Sequence, residues 1–408
     1  MTFEIETVKG FQDFLPEEAL KREAVKAVIT KWFKLYGFLP IETPIVEFDE
    51  LMKSSPNESI EDEAISDRFR LKDRGNRDLG LRYEFTFQLS RILKQNPNIR
   101  FPFKRYQIGE VFRDEPVSSK RFRQFTQCDA DILGDTTTNA DAEILSLFSD
   151  ILKELKIKNE IQINNKKLLT SIIESVQISQ IGNLMREIDK IDKLGIDIVK
   201  ANLRKYATAN QIITLFRILE KDIKFFKENA FQGVEELEQL MEVCKQYKIK
   251  VNFNPFLVRG LGYYTGNIFE FTVPGERSSI AAGGRYDKTV GKYLPREIPA
   301  VGASFGLERV TSLAEIKIEP TPKALLLSIS QDEETASLAQ KLRKSEISCS
   351  VLSTKPGKAL EYANSVKIPF VIFIGQEEIQ KKKFKIKNME SGKETLVTEK
   401  QLIKMLSN

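Results

Sequence analysis

Residues 103–133 read FKRYQIGEVFRDEPVSSKRFRQFTQCDADIL. The stretch predicts two strands, 103–113 and 121–133, around a polar loop from Asp114 to Lys120. On the second strand Phe125, Gln127 and Asp131 share parity, and side chains of one parity emerge on one face. Arg113 and Glu115 share parity on the other side of the loop. The two strands thus offer an arginine, an acid, an aromatic ring, an amide and a carboxylate to one surface. A plain solvent-facing hairpin with random polar residues would not set Phe125 beside Gln127.

Two glycine clusters lie further along: Arg259-Gly260-Leu261-Gly262-Tyr263-Tyr264-Thr265-Gly266 and Gly283-Gly284-Arg285-Tyr286-Asp287. Glycine lets the backbone come close to a small ligand because it has no Cβ. The first cluster adds a cation and two phenols to that close approach. A glycine-rich turn between strands is the competing reading of either segment taken alone.

Composition narrows the chemistry. The 408 residues suggest two or three domains with ample core. The chain has no histidine, which excludes Ser-His-Asp and Cys-His catalysis and every histidine-ligated metal site. Cys128, Cys244 and Cys349 are widely spaced and odd in number, which suggests neither a disulfide framework nor a paired-cysteine metal site and fits a reducing cytoplasm. No apolar run reaches the roughly 18 residues needed to span a bilayer, so no membrane association is expected. The start, Met1 to Glu6, lacks a basic-then-apolar leader pattern. Net charge is +5, and residues 322–408 carry all of it, with 15 Lys or Arg against 10 Asp or Glu. That excess leans toward a polyanionic partner; a lysine-rich solvated surface is the plainer alternative.

Local patterns complete the outline. Leu15-Pro16-Glu17-Glu18 starts a helix, with proline in the first turn and acids at the positive dipole end. Val25, Val28, Ile29, Trp32, Phe33 and Tyr36 follow helical spacing, and Gly37 is a natural stop. Residues 38–46 read as an extended edge segment, because their prolines cannot donate to a ladder. Helical patterns dominate 160–250, for example Leu184 to Leu194 and Ile212 to Phe226. Residues 300–309 predict a small-residue strand running into a helix that carries Arg309. Glu319-Pro320-Thr321-Pro322 has linker composition. Strand–helix alternation follows, with strands at 323–329, 347–353, 370–375, 383–388 and 394–398.

Together these segments resemble the histidyl-tRNA synthetase family, class II aminoacyl-tRNA synthetases, over nearly the whole chain. The first helix with Gly37 to Pro44 is similar to motif 1, the dimer-forming element. Phe112 to Glu115 and Arg121 to Phe125 resemble motif 2, and Gly302 to Arg309 resembles motif 3. The two glycine clusters are similar to the histidine-specific motifs. Leu81 to Thr86 matches a further substrate segment, and its Tyr83 leans toward the archaeal and eukaryotic branch.

The resemblance implies an antiparallel sheet flanked by helices, an α/β chain with an α+β catalytic domain over 1–320. A helical insertion at about 165–250 and an α/β anticodon-binding domain at 321–408 complete it. It implies ATP, with Mg²⁺ accompanying it, L-histidine, tRNA(His) and a cytoplasmic homodimer. Arg113 and Arg259 would be catalytic, both at the α-phosphate, with Arg113 and Arg259 also at the histidine end. Arg121 and Arg309 would hold the γ-phosphate end or sandwich the adenine, Phe125 would stack on it, and Glu115 would accept from its amino group. Glu84, Thr86 and Gln127 would hold the α-amino group. Asp131 and the Tyr264 hydroxyl would meet the imidazole nitrogens, with Tyr263 packing nearby. Lys381, Lys382, Lys383 and Lys385 would touch tRNA, with Lys387 in the same cluster.

Two positions depart from common patterns: Gly262 stands where many members carry aspartate, and Asp131 is shorter than the glutamate often found there. A rival reading is a histidine-sensing, non-catalytic paralogue, like the regulatory subunit of ATP phosphoribosyltransferase. It predicts a missing C-terminal domain and eroded arginines, whereas Arg113, Arg121, Arg259 and Arg309 are all present.

Overall fold

The computed structural model describes residues 5–52, 67–118, 121–259, 263–276 and 279–407. Gly260, Leu261, Gly262, Ser119 and Lys120, all prominent in the sequence reading, lie outside the described residues. The chain forms two compact units, Met1–Ile316 and Lys317–Asn408.

Helix α1 (Pro16–Leu35) has Pro16 in its first turn with Glu17 and Glu18, where the missing N–H costs nothing and acids meet the dipole. It ends as a Schellman turn: Phe38 N donates to Phe33 O, Gly37 N donates to Lys34 O, and Gly37 takes φ +79°. Val25, Ile29 and Phe33 are fully buried.

The first unit is built on an eight-stranded sheet in the order β1 (Leu39–Pro40), β5 (Phe103–Phe112), β6 (Gln124–Leu133), β11 (Ala300–Gly306), β10 (Ala281–Arg285), β9 (Asn267–Thr272), β7 (Glu160–Asn165), β8 (Asn252–Phe253). The short outer strands β1 and β8 pair in parallel; all other neighbours are antiparallel. A small sheet of β2 (Val46–Phe48), β4 (Asp78–Leu81) and β3 (Arg70–Lys72) precedes helix α2 (Phe87–Gln95).

Strand parity divides the large sheet sharply. Tyr106, Cys128, Ala130, Ala303, Phe305 and Phe269 point to one face and are buried. That face packs on α1 and α3 (Thr138–Glu154): Phe33 lies 5.2 Å from Tyr106, and Phe148 stacks on Phe305 at 4.2 Å. The opposite parity mixes polar side chains and glycines with apolar ones such as Val111, Phe125 and Leu133, and it carries the site.

Seven helices, α4 to α10, run from Lys166–Ser175 to Val234–Gln246. Two patterns that read as continuous in sequence are broken. Ile181–Ile188 stops before Ile191–Leu194, and Ala209–Leu219 stops before Ile223–Glu228. In the second case Asp222 accepts from Phe225 N, so a capping side chain restarts the chain as a new helix. Short helix α11 (Asp287–Val290) follows β10, and α12 (Leu307–Leu313) follows β11.

The second unit is a five-stranded sheet ordered β13 (Cys349–Ser353), β12 (Ala324–Ser328), β14 (Phe370–Ile374), β15 (Phe384–Asn388), β16 (Glu394–Val397). The first three strands are parallel and the last two antiparallel. Helices Asp332–Lys344 and Pro356–Ser365 connect the parallel strands. Leu325, Leu326, Leu327, Val371 and Ile372 are all fully buried, as expected of central strands covered on both faces.

Candidate active site

Cross-strand register sets the site out in rows. Arg105, Asp131, Gly302 and Gly284 are paired neighbours across β5, β6, β11 and β10. The next row on the same face is Gln107, Asp129, Ser304, Ala282 and Glu270. Gly109, Gln127 and Gly306 form a third, and Val111 with Phe125 a fourth. Phe125, Gln127 and Asp131 therefore do share one face, with Asp129 between them.

Asp131 lies at the floor. The Tyr286 hydroxyl donates to its Oδ1, and Arg105 Nη2 approaches its Oδ2 at 2.5 Å. A Cβ on Gly302 would overlap Asp131 Oδ1 and stand 2.8 Å from Ala130 O, so this strand glycine makes room for the carboxylate. Gly284 does the same for Tyr264, whose Cδ1 would stand 2.9 Å from a Cβ there. The Tyr263 and Tyr264 hydroxyls interact with each other, and either phenol can be the donor. Tyr263 also packs 4.7 Å from Tyr264, 5.8 Å from Tyr286 and 6.3 Å from Phe87, ring to ring.

Gln127 Nε2 donates to Ser304 Oγ at 2.9 Å, and Ser304 donates to Asp129. Gln127 Oε1 is buried without a hydrogen-bond partner, an acceptor able to receive an ammonium. Glu84 is buried, and its carboxylate accepts from Thr86 N at 2.6 Å and Phe87 N at 2.7 Å, which anchors the start of α2. Those bonds occupy part of the group expected to meet an α-amino group; a carboxylate has further lone pairs. Burial pushes the Glu84, Asp129 and Asp131 carboxyls up, Asp129 to about 8.

Arg113 follows β5 at the rim. Its guanidinium sits 4.3 Å from the Tyr83 ring and 5.0 Å from the Phe125 ring. It already covers one face of Phe125, so a base stacked there must take the other face or displace it. Glu115 accepts from the Tyr83 hydroxyl at 3.3 Å and lies 3.9 Å from Arg113 and 3.8 Å from Arg121.

Arg259 pairs with Glu270 on β9 at 3.2 Å, and Arg309 on α12 donates to Ser279 O. Burial, then the nearby charge of Arg121 and, more weakly, Arg259, holds the Arg309 guanidinium below its ordinary value. Arg121, Arg259 and Arg309 thus act on one another electrostatically, with Glu115, Glu270 and Glu276 among the acids near them, and guanidiniums so placed suit a polyanion. Among the described residues no group of three or more Cys, Asp or Glu could hold a metal ion, and no helix is long and apolar enough to cross a membrane. Cys128, Cys244 and Cys349 are free thiols.

In the second unit, Lys381 pairs with Glu377 at 2.9 Å and Lys387 with Glu394 at 3.4 Å. Lys385 lies 5.6 Å from the Phe373 ring. Lys382 and Lys383 are exposed at the end of a short helix. The lysine run is thus partly neutralised by its own unit.

The sequence reading brought the right faces together but missed Arg105, Asp129, Ser304 and Gly302, and it gave Tyr286 no role. Asp129 shares the parity of Asp131 and could have been found. Arg105 could not, because its partner depends on the register of the hairpin.

A sequence model of the family described as histidyl-tRNA synthetase matches residues 10–310, and one described as anticodon binding domain matches 323–408. The chain is 38% identical to histidine–tRNA ligase 1 of Bacillus anthracis, covering 97% of this chain and 98% of that one. The crystal structure of histidyl-tRNA synthetase from Nostoc sp. PCC 7120 superposes with a TM-score of 0.85 at 27% identity, covering 100% and 99%. A Bacillus halodurans C structure described as an ATP phosphoribosyltransferase regulatory subunit/histidyl-tRNA synthetase superposes at 0.74 and 21% identity, covering 89% and 97%, a likeness of fold alone. These relatives are bacterial, which runs against the archaeal or eukaryotic affinity expected from Tyr83.

Proposed function

The chain belongs to the histidyl-tRNA synthetase family, and from that membership we propose how its residues divide the work of a class II aminoacyl-tRNA synthetase. The enzyme attaches histidine to tRNA(His) in an ATP-dependent reaction. The histidine carboxylate attacks the α-phosphate of ATP, pyrophosphate leaves, and the tRNA 3′ end then takes the histidyl group from the adenylate.

Charge builds on phosphate oxygens in the first step, so fixed cations matter more than a base. Arg113 and Arg259 flank the α-phosphate and the substrate carboxylate. Arg121 and Arg309 take the γ-phosphate end, or Arg309 closes over the adenine. Phe125 stacks on the base and Glu115 accepts from its amino group. The observation that supports this division is that Arg121 and Arg259 both act on the guanidinium of Arg309, with Arg113 on the same rim over Tyr83 and Phe125. Mg²⁺ would accompany ATP, as in phosphoryl-transfer enzymes generally.

Asp131 and Tyr264 face the two imidazole nitrogens. The Tyr264 hydroxyl donates to one, and Asp131 accepts from the other's N–H. Gln127 Oε1, Glu84 and Thr86 receive the α-ammonium, with Arg259 beside them; Tyr263 supports the ring wall. The second unit, Lys317–Asn408, binds the anticodon region of tRNA. Lys382 and Lys383 are its least neutralised contacts, with Lys381 and Lys385 contributing less.

Replacing Arg259 by alanine should lower adenylate formation by on the order of 10²–10³-fold while leaving tRNA binding intact. Loss of tRNA binding as well would overturn this separation of roles. The protein acts as a homodimer in the cytoplasm. Supporting the dimer are the exposed apolar side chains Leu35, Leu39, Ile45, Val46 and Phe48 around the end of α1, β1 and β2. Sedimentation at twice 46.7 kDa is the expected result, and a monomer would contradict it.

A further inference from the structure

Arg105 is the largest fully buried side chain among the described residues, and it is a cation. A buried charge is retained only when it is paired, because desolvating it is costly. Its Nη2 approaches Asp131 Oδ2 at 2.5 Å and donates weakly to Phe85 O at 3.4 Å. Its Nε and Nη1 are buried without a hydrogen-bond partner. After burial, the charges acting on it are Asp131, Asp129, Tyr286 and Glu84, in that order. These groups come from β6 (the two aspartates), the turn after β10 (Tyr286) and the start of α2 (Glu84), while β1 sets Leu39 beside it. β11 contributes only Ser304 and Gly302 on this face. Arg105 is thus in contact with one buried acid, Asp131, and within the field of two more, Asp129 and Glu84.

We propose that Arg105 is a positioning and specificity-determining residue of the amino-acid pocket, holding Asp131 as an ionised acceptor so that the pocket selects the neutral imidazole ring. This rests on the reading of Asp131 as the imidazole contact. In that reading the Tyr264 hydroxyl donates to the unprotonated ring nitrogen. The other nitrogen then carries its N–H toward Asp131, which is an acceptor alone, and the stronger one, only when ionised. Asp129 and Asp131, two residues apart on one buried face, do not both ionise readily: Asp129, pushed up to about 8, holds its proton first, and without the Arg105 cation Asp131 would hold one too. A protonated Asp131 would confront the ring as a second donor. An ionised Asp131 without Arg105 would favour the imidazolium instead. The Arg105–Asp131 pair, neutral as a whole, excludes both outcomes.

The test is the KM for histidine in ATP–pyrophosphate exchange from pH 6.5 to 9. Wild type, R105K, R105M, the double variant R105M/D129N and D131A are compared. The wild-type KM is flat above pH 7. R105M raises KM at pH 7 by on the order of 10²-fold, as expected when a buried polar pocket loses a partner, and KM falls again toward pH 9 as Asp131 ionises. R105K keeps most of the wild-type profile, and R105M/D129N recovers part of the loss because one competing acid is gone. The KM for ATP stays within about threefold throughout, well under the 1.4 kcal/mol of a tenfold change.

An R105M profile parallel to wild type, an R105K no better than R105M, or a KM for ATP that rises in step would overturn the proposal. An unchanged KM in D131A would overturn it together with the underlying reading of Asp131, whereas a raised KM in D131A with a normal R105M overturns the role of Arg105 alone. Calorimetry on the wild-type enzyme is independent of whether R105M folds. With buffers of different ionisation heat at pH 5.5, below the imidazole pKa of about 6.5, histidine binding should release close to one proton; proton uptake would contradict the proposal.

Discussion

At the scale of single residues, the site is governed by what burial does to charge. Asp129 sits beside Asp131 in a dry sheet face, and burial pushes its carboxyl up to about 8. An unfolded aspartate titrates near 3.9, roughly four units lower. Between those values the folded protein holds a proton that the unfolded chain has lost, so stability falls as pH rises through this window. Replacing Asp129 by asparagine removes the penalty while leaving Ser304 an oxygen to donate to. The gain in Tm should be larger at pH 8.5 than at pH 5; an equal or reversed gain would show that Asp129 is ionised throughout. Several residues of this kind were legible in the sequence and others were not. Phe125, Gln127 and Asp131 were found from parity alone, because alternation is a property of any strand. Arg105 stayed hidden because its partner depends on register. The loop from Arg113 to Arg123 is too long for turn type to fix that register.

At the scale of elements, the sheet separates packing from chemistry by parity. One parity buries aromatic rings against α1 and α3; the other carries small and polar residues toward ligands. Gly302 shows how tight this arrangement is. In sequence it marked only a small-residue strand, and its reason emerges once Asp131 is seen opposite it. Gly302→Ala should abolish histidine-dependent exchange while ATP still binds, since the new methyl would displace the Asp131 carboxylate and nothing at the nucleotide rim. An alanine variant with a wild-type KM for histidine would mean that Asp131 is free to move and the floor is not rigid. Helix ends were harder to read than helix faces. Leu184 to Leu194 and Ile212 to Phe226 keep their apolar spacing across real breaks. Periodicity therefore carries through a restart that only a cap such as Asp222 reveals.

At the scale of the whole molecule, the C-terminal unit was the most legible part. Its strands alternate with helices in β-α order, and its central strands are apolar runs bounded by turns. Its charge was legible in sum but not in placement, because the pairs Lys381–Glu377 and Lys387–Glu394 are set by a helical turn and by strand pairing. The histidine-free composition excluded histidine-based catalysis and left Arg, Lys, Asp, Glu, Tyr or a ligand's own groups to do the chemistry. The central claim is that one sheet face both activates ATP and selects histidine, and amino-acid-dependent ATP–pyrophosphate exchange across all twenty amino acids tests it most directly. Exchange with histidine alone is the predicted result. Saturable histidine binding with no exchange for any amino acid would contradict it, leaving a histidine sensor on a synthetase fold.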